Sequence, residues 1–287
     1  MMKNSDEYNI SSFVPVSNYF FSLSESLALK IYSDSTPKNM KIADLQKGLI
    51  LLCNGIDVVG EGTGFGVPIA KYNDETFFSG SSLLHFRNKG GVLEIRKEFV
   101  MNMVARDSLR NLNLENPRIR AVFDYVSELY QSHDYLAQSI LLFKALLFRM
   151  GIQSSFKLGP DRGRIVANYQ IGKKHILVKL DFGHLERVNL SKVFVLNEQG
   201  ADFFSTYTDS EGLKLLDNDI GAWKHVTANS ARISDSENKI GFGLKNMKGS
   251  ILRRGRERME KSLNWIGLDY EVNPKSHLFE YEIELFG

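Results

Sequence analysis

Apolar and charged residues alternate one by one along the last segment of this chain, where Phe279, Tyr281, Ile283 and Leu285 are separated by Glu280, Glu282 and Glu284. A period of two places successive side chains on opposite faces of a strand, whereas a helix needs a period near 3.6. The same alternation occurs at residues 27–32 and 175–182, and residues 49–53 form a short continuous apolar run typical of a strand buried on both faces. These patterns predict a chain built mainly of β-sheet.

The apolar period changes between two β-like regions, residues 13–110 and residues 152–287. From Asn116, a natural N-cap followed by Pro117, apolar residues recur at helical spacing, and Gly151 is a good stop signal. We therefore predict a helical hairpin over residues 116–151. The predicted fold is a large antiparallel β-sandwich with this hairpin inserted. It forms a single domain over residues 1–287, because no Pro- or Ser-rich linker divides the chain. Two β domains joined by the hairpin are the alternative.

Charge and cysteine content exclude several classes of function. The 287 residues include 36 basic and 34 acidic side chains, a net charge of +2, which gives no overall field for attracting nucleic acid or an anionic membrane. The single cysteine, Cys53, cannot form an intrachain disulfide, and residues 1–12 lack the pattern of a signal peptide. No apolar run has the length of a membrane span. We therefore expect a cytoplasmic protein that binds neither nucleic acid nor membranes.

Glycines alternate with other residues from Gly60 to Gly66, in the sequence GEGTGFG. The run is similar to the phosphate loop of protein kinases, and Asp181-Phe182-Gly183 is similar to their metal-binding triplet. The extra glycine at position 64 breaks the kinase spacing, and strands rather than a helical lobe follow Gly183, which excludes a kinase. The spacing of a dinucleotide fingerprint or a P-loop is not met either. The run is interpreted as a bend or bulge in a strand, or as the floor of a pocket.

A second likeness covers most of the chain. The chain resembles the β-supersandwich class in its residue composition along the strands and in the order of its elements. The segments that carry this resemblance are GEGTGFGVPIAKYNDETFFSGSS near the start and NEQGADFFSTYTDS later in the chain. That class includes galactose-mutarotase-like proteins and accessory domains of some carbohydrate-active enzymes. The resemblance implies recognition of a sugar, with acid/base chemistry by carboxylate and histidine side chains.

Carboxylates and histidines near predicted turns are available for such chemistry. Sugar chemistry commonly uses two carboxyl groups, or a carboxylate and a histidine, as proton donor and acceptor. The predicted catalytic residues are Glu61, His85, Asp181 and Glu198. Each of three residues also has a structural interpretation. Asp181 could only cap a turn, His85 could be a half-buried strand residue, and Glu198 could be a solvated turn residue.

The predicted ligand-binding residues combine close backbone approach, aromatic stacking and positive charge. They are Gly62, Thr63 and Gly64 of the glycine run, His184, Trp223, Arg254 and Arg256. Trp223 follows a turn and is the aromatic residue most expected to reach solvent, although aromatic residues in sheets usually pack in the core. Arg254 and Arg256 would share one face of a strand and bind an anion, or form a solvated strand edge. No metal site and no cofactor are predicted, because histidines and cysteines lack metal-ligand spacing and residues 217–221 are interpreted as an acidic turn.

Two hypotheses of different classes follow. The leading one is a carbohydrate-active or carbohydrate-binding protein with a sugar as its small-molecule ligand. The alternative is a non-catalytic assembly protein that forms a homo-oligomer through the hairpin or the terminal strand. Binding in a glycan screen would favour the first, and a dimer that dissociates on polar substitution of Ile140 or Phe143 would favour the second.

Overall fold

The computed structural model describes residues 14–16, 18–24, 27–32, 48–53, 56–57, 64–73, 75–89, 92–109, 154–260 and 263–287. The predicted helical hairpin, residues 116–151, lies outside the described residues. The described part is mainly β, as predicted. Its strands are Val14–Val16 (β1), Asn18–Ser22 (β2), Leu27–Tyr32 (β3), Ile50–Cys53 (β4), Ile56–Asp57 (β5), Gly64–Tyr72 (β6), Glu75–Lys89 (β7), Val92–Leu109 (β8), Ser154–Ile171 (β9), His175–Asp181 (β10), Leu190–Gly200 (β11), Thr206–Asp209 (β12), Lys214–Leu216 (β13), Lys224–His225 (β14), Ser230–Ser234 (β15), Gly241–Lys245 (β16), Ser250–Glu260 (β17), Leu263–Val272 (β18) and Leu278–Phe286 (β19).

These strands form two antiparallel sheets. The large sheet has 15 strands in the order β13-β12-β15-β16-β19-β10-β9-β8-β7-β6-β11-β18-β17-β14, with β1 paired to β7. The small sheet has four strands in the order β2-β3-β4-β5. A single-turn 3₁₀ helix, Asp217–Ile220, connects β13 to the segment before β14. The terminal strand β19 lies inside the large sheet, between β10 and β16.

The period-two segments form strands with the expected burial. Along β19, Phe279, Tyr281, Ile283 and Leu285 are buried, and the glutamates between them face solvent. All the residues of β4 are buried, as predicted for a short continuous apolar run. Alternation in the sequence therefore identifies the core face of each of these strands.

The large sheet folds back on itself, so that its two halves pack face to face in a sandwich-like arrangement. β6 and β16 are six steps apart in the strand order, which in a flat sheet would separate them by about 29 Å. The rings of Phe65 on β6 and Phe242 on β16 nevertheless lie 5.0 Å apart, centre to centre. Tyr270 on β18 and Tyr281 on β19 are similarly close, at 4.9 Å. The core lies between these halves, on what we call the inner face of the sheet.

The small sheet closes one side of the same core. Leu29 and Ile31 of β3 and Leu51 of β4 are buried in one cluster with the apolar residues of the large sheet. The backbone N–H of Leu51 donates to the Gln199 side-chain oxygen on β11, at 3.3 Å. Cys53 is buried here too, and burial raises the pKa of its thiol to about 12. The Cys53 thiol therefore contributes to the packing of the core and is not a nucleophile. Within the described residues, no helix has the length and apolarity needed to cross a membrane.

Candidate functional site

A row of residues crosses neighbouring strands on the outer face of the large sheet. Glu198 on β11 lies opposite Gly64 on β6 and opposite Gly267 on β18. Gly267 in turn lies opposite Gly255 on β17, against which the Trp223 ring packs. Ile266 and Leu268, which flank Gly267 along β18, belong to the core, so the row faces outward. We call Trp223, Gly255, Gly267, Glu198 and Gly64 the Trp223 row.

The Trp223 ring lies against the backbone of Gly255. A Cβ atom added to Gly255 would stand 2.5 Å from Cδ2 of the indole, so only glycine leaves room for the ring. The indole Nε1–H donates to Oε1 of Glu257 at 2.6 Å, which fixes the ring in its plane. Trp265, the second tryptophan of the chain, lies opposite Glu257 in the adjacent strand. The half-buried ring of Trp223 therefore lies beside the carboxylate of Glu257 and packs on the backbone of Gly255.

Glu198 and Asp269 form a buried pair of carboxyl groups at the other end of this floor. Glu198 leans over Gly267, where an added Cβ would stand 2.9 Å from its Cγ. The two side chains are hydrogen-bonded to one another, and the residues are only 7% and 3% exposed. Two carboxyl groups that share a hydrogen bond need a proton between them, so the pair retains a proton.

Burial is the main reason that Asp269 binds its proton tightly, and it raises the pKa of this carboxyl to about 8. The backbone N–H of Asn197, the positive charge of Arg253 and the hydrogen bond from Glu198 oppose this rise, while the charge of Glu257 adds to it. A carboxylic acid that is protonated near neutral pH can donate a proton or a hydrogen bond.

Asn197 holds the pair in place from the inner face. Its backbone N–H donates to Oδ1 of Asp269 at 2.8 Å. Its side-chain Oδ1 accepts from the Tyr281 hydroxyl at 2.6 Å and from the Gly66 N–H at 3.1 Å. Because these partners lie on three other strands, the position of Asp269 is fixed by the sheet as a whole.

The described end of the glycine run forms an irregular start of β6. Gly64 and Gly66 have φ angles of 73° and 76°, which L side chains rarely adopt, and the register with β11 shifts beside them. A Cβ on Gly66 would stand 2.7 Å from the Tyr169 hydroxyl. This part of the run is therefore a bulge, and through Gly64 it also reaches the Trp223 row. Glu61, Gly62 and Thr63 lie outside the described residues and stay predictions.

Positive charges gather on the same outer face, around Phe194 of β11. The Nζ atoms of Lys71 and Lys192 lie 5.7 Å and 6.0 Å from the centre of its ring, and Cζ of Arg253 lies 5.3 Å from it. Lys192 also forms a 2.9 Å ion pair with Glu271. The Phe194 end of this face thus combines cations with the carboxylate of Glu271, and Arg253 also lies opposite Asp269 of the buried carboxyl pair.

The other predicted acid/base residues lie elsewhere. His85 is on β7, opposite Arg96, and Asp181 is at the end of β10. In the strand order β10 is separated from β11 by β9, β8, β7 and β6, and β7 is separated from it by β6, so neither residue lies on a strand that pairs with the strand of Glu198. Asp181 accepts the Gly183 N–H at 2.7 Å, which is the turn-capping alternative, and His184 is exposed in the same turn.

Arg254 and Arg256 lie on β17 as predicted for a strand, but both are engaged within the protein. Arg254 donates to the Ile220 carbonyl and lies over the Tyr207 ring, with Cζ 5.0 Å from the ring centre. Arg256 donates to Asp217 at 2.8 Å and to the carbonyl oxygen of residue 201 at 3.1 Å. These contacts fasten the 3₁₀ turn to the sheet. In the part of the chain that the structure describes, no group of three or more acidic, histidine or cysteine side chains could hold a metal ion.

A recess of about 290 Å³ lies over strands β7 to β10. It is lined by Arg87, Glu94, Asn168, Tyr169, Gln170 and Lys179. Arg87 forms an ion pair with Glu94, and Gln170 donates to the same carboxylate at 3.1 Å. Because its charged groups already bind one another, this recess is the weaker candidate.

Asp269 and Glu257 are the site residues that sequence reasoning missed. Asp269 interrupts the apolar run from Ile266 to Tyr270, and a carboxylate inside such a run is a usable signal. Glu257 lies within the arginine-rich stretch 253–258, where its sequence context indicates only a charge that offsets the arginines. No local pattern could have revealed its bond to Trp223, because the two residues are 34 positions apart.

No known protein-family model matches the chain, and no curated protein matches it in sequence. The chemistry of the Trp223 row is therefore the basis on which a function is proposed.

Proposed function

We propose that the chain binds a carbohydrate on the outer face of β11, β17 and β18, with Trp223 as the platform for a sugar ring. The observation that carries this proposal is the half-buried indole, held against Gly255 and tied to Glu257 at 2.6 Å. A fixed, partly exposed aromatic ring binds the apolar face of a sugar without paying for side-chain ordering. The resemblance to the supersandwich class supports the same proposal.

The carboxyl groups around the indole suit the other part of a sugar, its ring of hydroxyls. Ionised carboxylates accept hydrogen bonds more strongly than neutral groups, and Glu257 stands at the edge of the platform. The Glu198–Asp269 pair holds its proton in the hydrogen bond between its own carboxyl groups, so its remaining oxygens are acceptors. Together with Glu257, the pair supplies acceptors beside one aromatic face.

The spacing of the carboxyl pair favours binding over glycoside hydrolysis by these two groups. Hydrolysis needs carboxyl groups about 5–5.5 Å apart with retention, or about 6.5–9.5 Å apart with inversion. Glu198 and Asp269 are hydrogen-bonded to one another, which is too close for either geometry. Acid/base chemistry on a bound sugar would need a second group further away. Glu61, which precedes Gly64 in the chain, remains our predicted partner for Glu198 in that role.

A glycan screen followed by calorimetry tests this proposal. We expect Trp223→Ala to weaken binding of the selected glycan at least about tenfold, because truncating a central aromatic contact is typically the most damaging change in a binding site. The matched control is Phe20→Ala, which removes an exposed ring, 56% accessible, from the small sheet. Thermal melting checks that both variants fold. A screen without any bound glycan, or unchanged affinity in folded Trp223→Ala, would refute the proposal.

A further inference from the structure

Three cationic side chains surround the Phe194 ring on the outer face, and within the described residues two of them form no ion pair. Lys192 is matched by the carboxylate of Glu271, at 2.9 Å. The ammonium group of Lys71 contacts the aromatic ring and has no carboxylate partner among the residues that the structure describes. The Nε–H of Arg253 is buried and lacks a hydrogen-bond partner there. These two side chains therefore keep donors that the described protein does not use.

The carboxyl groups nearby do not neutralise all of this positive charge. Arg253 lies opposite Asp269, and its charge opposes the rise in the pKa of that carboxyl. The Glu198–Asp269 pair retains a proton, so it carries at most one negative charge. Glu257 lies four residues further along β17, which is about 13 Å in a strand, and its carboxylate accepts the indole N–H. One cation beside the ring is thus left unmatched.

The Phe194 end of the outer face is also open to a ligand. The Lys192 side chain is 50% exposed, and Ile251, which lies opposite Glu271, is 41% exposed. Lys71 and Arg253 are half-buried, so their charges are screened less by water than those of fully exposed side chains.

From these contacts we infer that the Phe194 end of the outer face binds the phosphate or sulfate group of a small molecule. The inference is independent of the proposed function, because it uses no residue of the Trp223 row. The cations come from three strands, β6, β11 and β17, and their charged atoms lie within 6.0 Å of one ring centre. A tetrahedral anion presents oxygens in several directions and so suits donors from three strands better than a planar carboxylate. The fork of an arginine fits such oxygens in pairs.

Phosphorus NMR of inorganic phosphate tests this site, in titrations at constant ionic strength near about pH 7.5, where phosphate is mostly a dianion. We expect saturable binding to the native chain, which sulfate displaces and acetate does not. Lys71→Gln and Arg253→Gln should each weaken phosphate binding at least about fivefold, because each removes a charged donor. The matched control is Lys179→Gln on β10, which makes the same change of net charge and should leave binding unchanged.

Glu271→Gln provides a test of opposite sign. It releases Lys192 from its ion pair, so phosphate should bind about two- to fivefold more tightly. Removing a carboxylate that only supports the fold would not improve binding.

Thermal melting checks that each variant folds, and Lys71→Gln together with Glu271→Gln decides the question if Arg253→Gln does not fold. Absence of saturable binding, or equal losses in Lys71→Gln and Lys179→Gln, would overturn the site. Displacement by acetate as effective as that by sulfate would overturn the assignment to a tetrahedral anion. Whichever of phosphate and sulfate binds more tightly identifies the ester that the site takes.

Discussion

Asp269 shows how one side chain links the core to the outer face. The pairing of β11 with β18 has a gap between the Val195–Tyr270 and Glu198–Gly267 pairs, with the same register on both sides, and Oδ1 of Asp269 accepts the N–H of Asn197 in that gap. A side-chain oxygen thus replaces a backbone carbonyl, which satisfies a buried donor that would otherwise be costly. This arrangement holds the carboxyl group of Asp269 in a buried environment, which disfavours its charged form.

The pH dependence of stability should reveal this carboxyl. Its pKa is raised from 3.8 to about 8, so the folded state holds the proton more tightly than the unfolded state. The stabilisation is complete below about pH 4 and is lost as pH rises to about 8, with a slope of at most about 1.4 kcal/mol per pH unit. Asp269→Asn keeps an acceptor oxygen and cannot ionise. We therefore expect the free energy of unfolding to fall less with pH in Asp269→Asn than in the native chain.

Urea unfolding at several values between about pH 5 and pH 8 measures that difference. The control is Glu280→Gln, which removes an exposed carboxylate of β19 whose partner, Lys179, keeps its charge over this pH range. Parallel pH profiles for Asp269→Asn and the native chain would mean that the carboxyl is ionised normally in the folded protein.

Single strands are the elements that the sequence predicted best, because alternation is a local property. The burial of β4, β10 and β19 follows directly from their apolar period. The bulge in β6 was predicted as one of two interpretations of the glycine run. The alternation of apolar and polar residues does not indicate which strands become neighbours in the sheet. Gly66 and Asn197, which are hydrogen-bonded, lie 131 positions apart.

Replacing the bulge glycine tests whether β6 needs its special backbone. Gly66→Ala should destabilise the protein by about 2–4 kcal/mol, from the positive φ angle together with the contact at 2.7 Å to the buried Tyr169 hydroxyl. Gly212→Ala is the matched control, since Gly212 has a φ of 89° with nothing within 4 Å of the added atom. It should cost only about 1 kcal/mol. Equal losses in chemical denaturation would show that Tyr169 does not confine Gly66.

At the scale of the whole molecule, the candidate site depends on how the large sheet is ordered. Its residues come from β6, β11, β17 and β18, which are adjacent in the sheet but far apart in the chain. Glu198, Gly64 and Trp223 were predicted individually from residue type and turn signals. Their alignment in one row, and the exclusion of His85 and Asp181 from it, follow from strand order. Non-local pairing of this kind has no local sequence signature.

The indole N–H resonances give the most direct test of the Trp223 row as a ligand site. The chain has 2 tryptophans, so two indole signals are expected, and Trp265→Phe assigns them. During titration with a glycan selected in the screen, we expect a saturable shift of the Trp223 signal, whose N–H is bound to Glu257 at 2.6 Å. The shift should yield the dissociation constant found by calorimetry. Glycan binding confirmed by calorimetry while the Trp223 signal stays unmoved would refute binding on Trp223, because the ligand would then bind elsewhere.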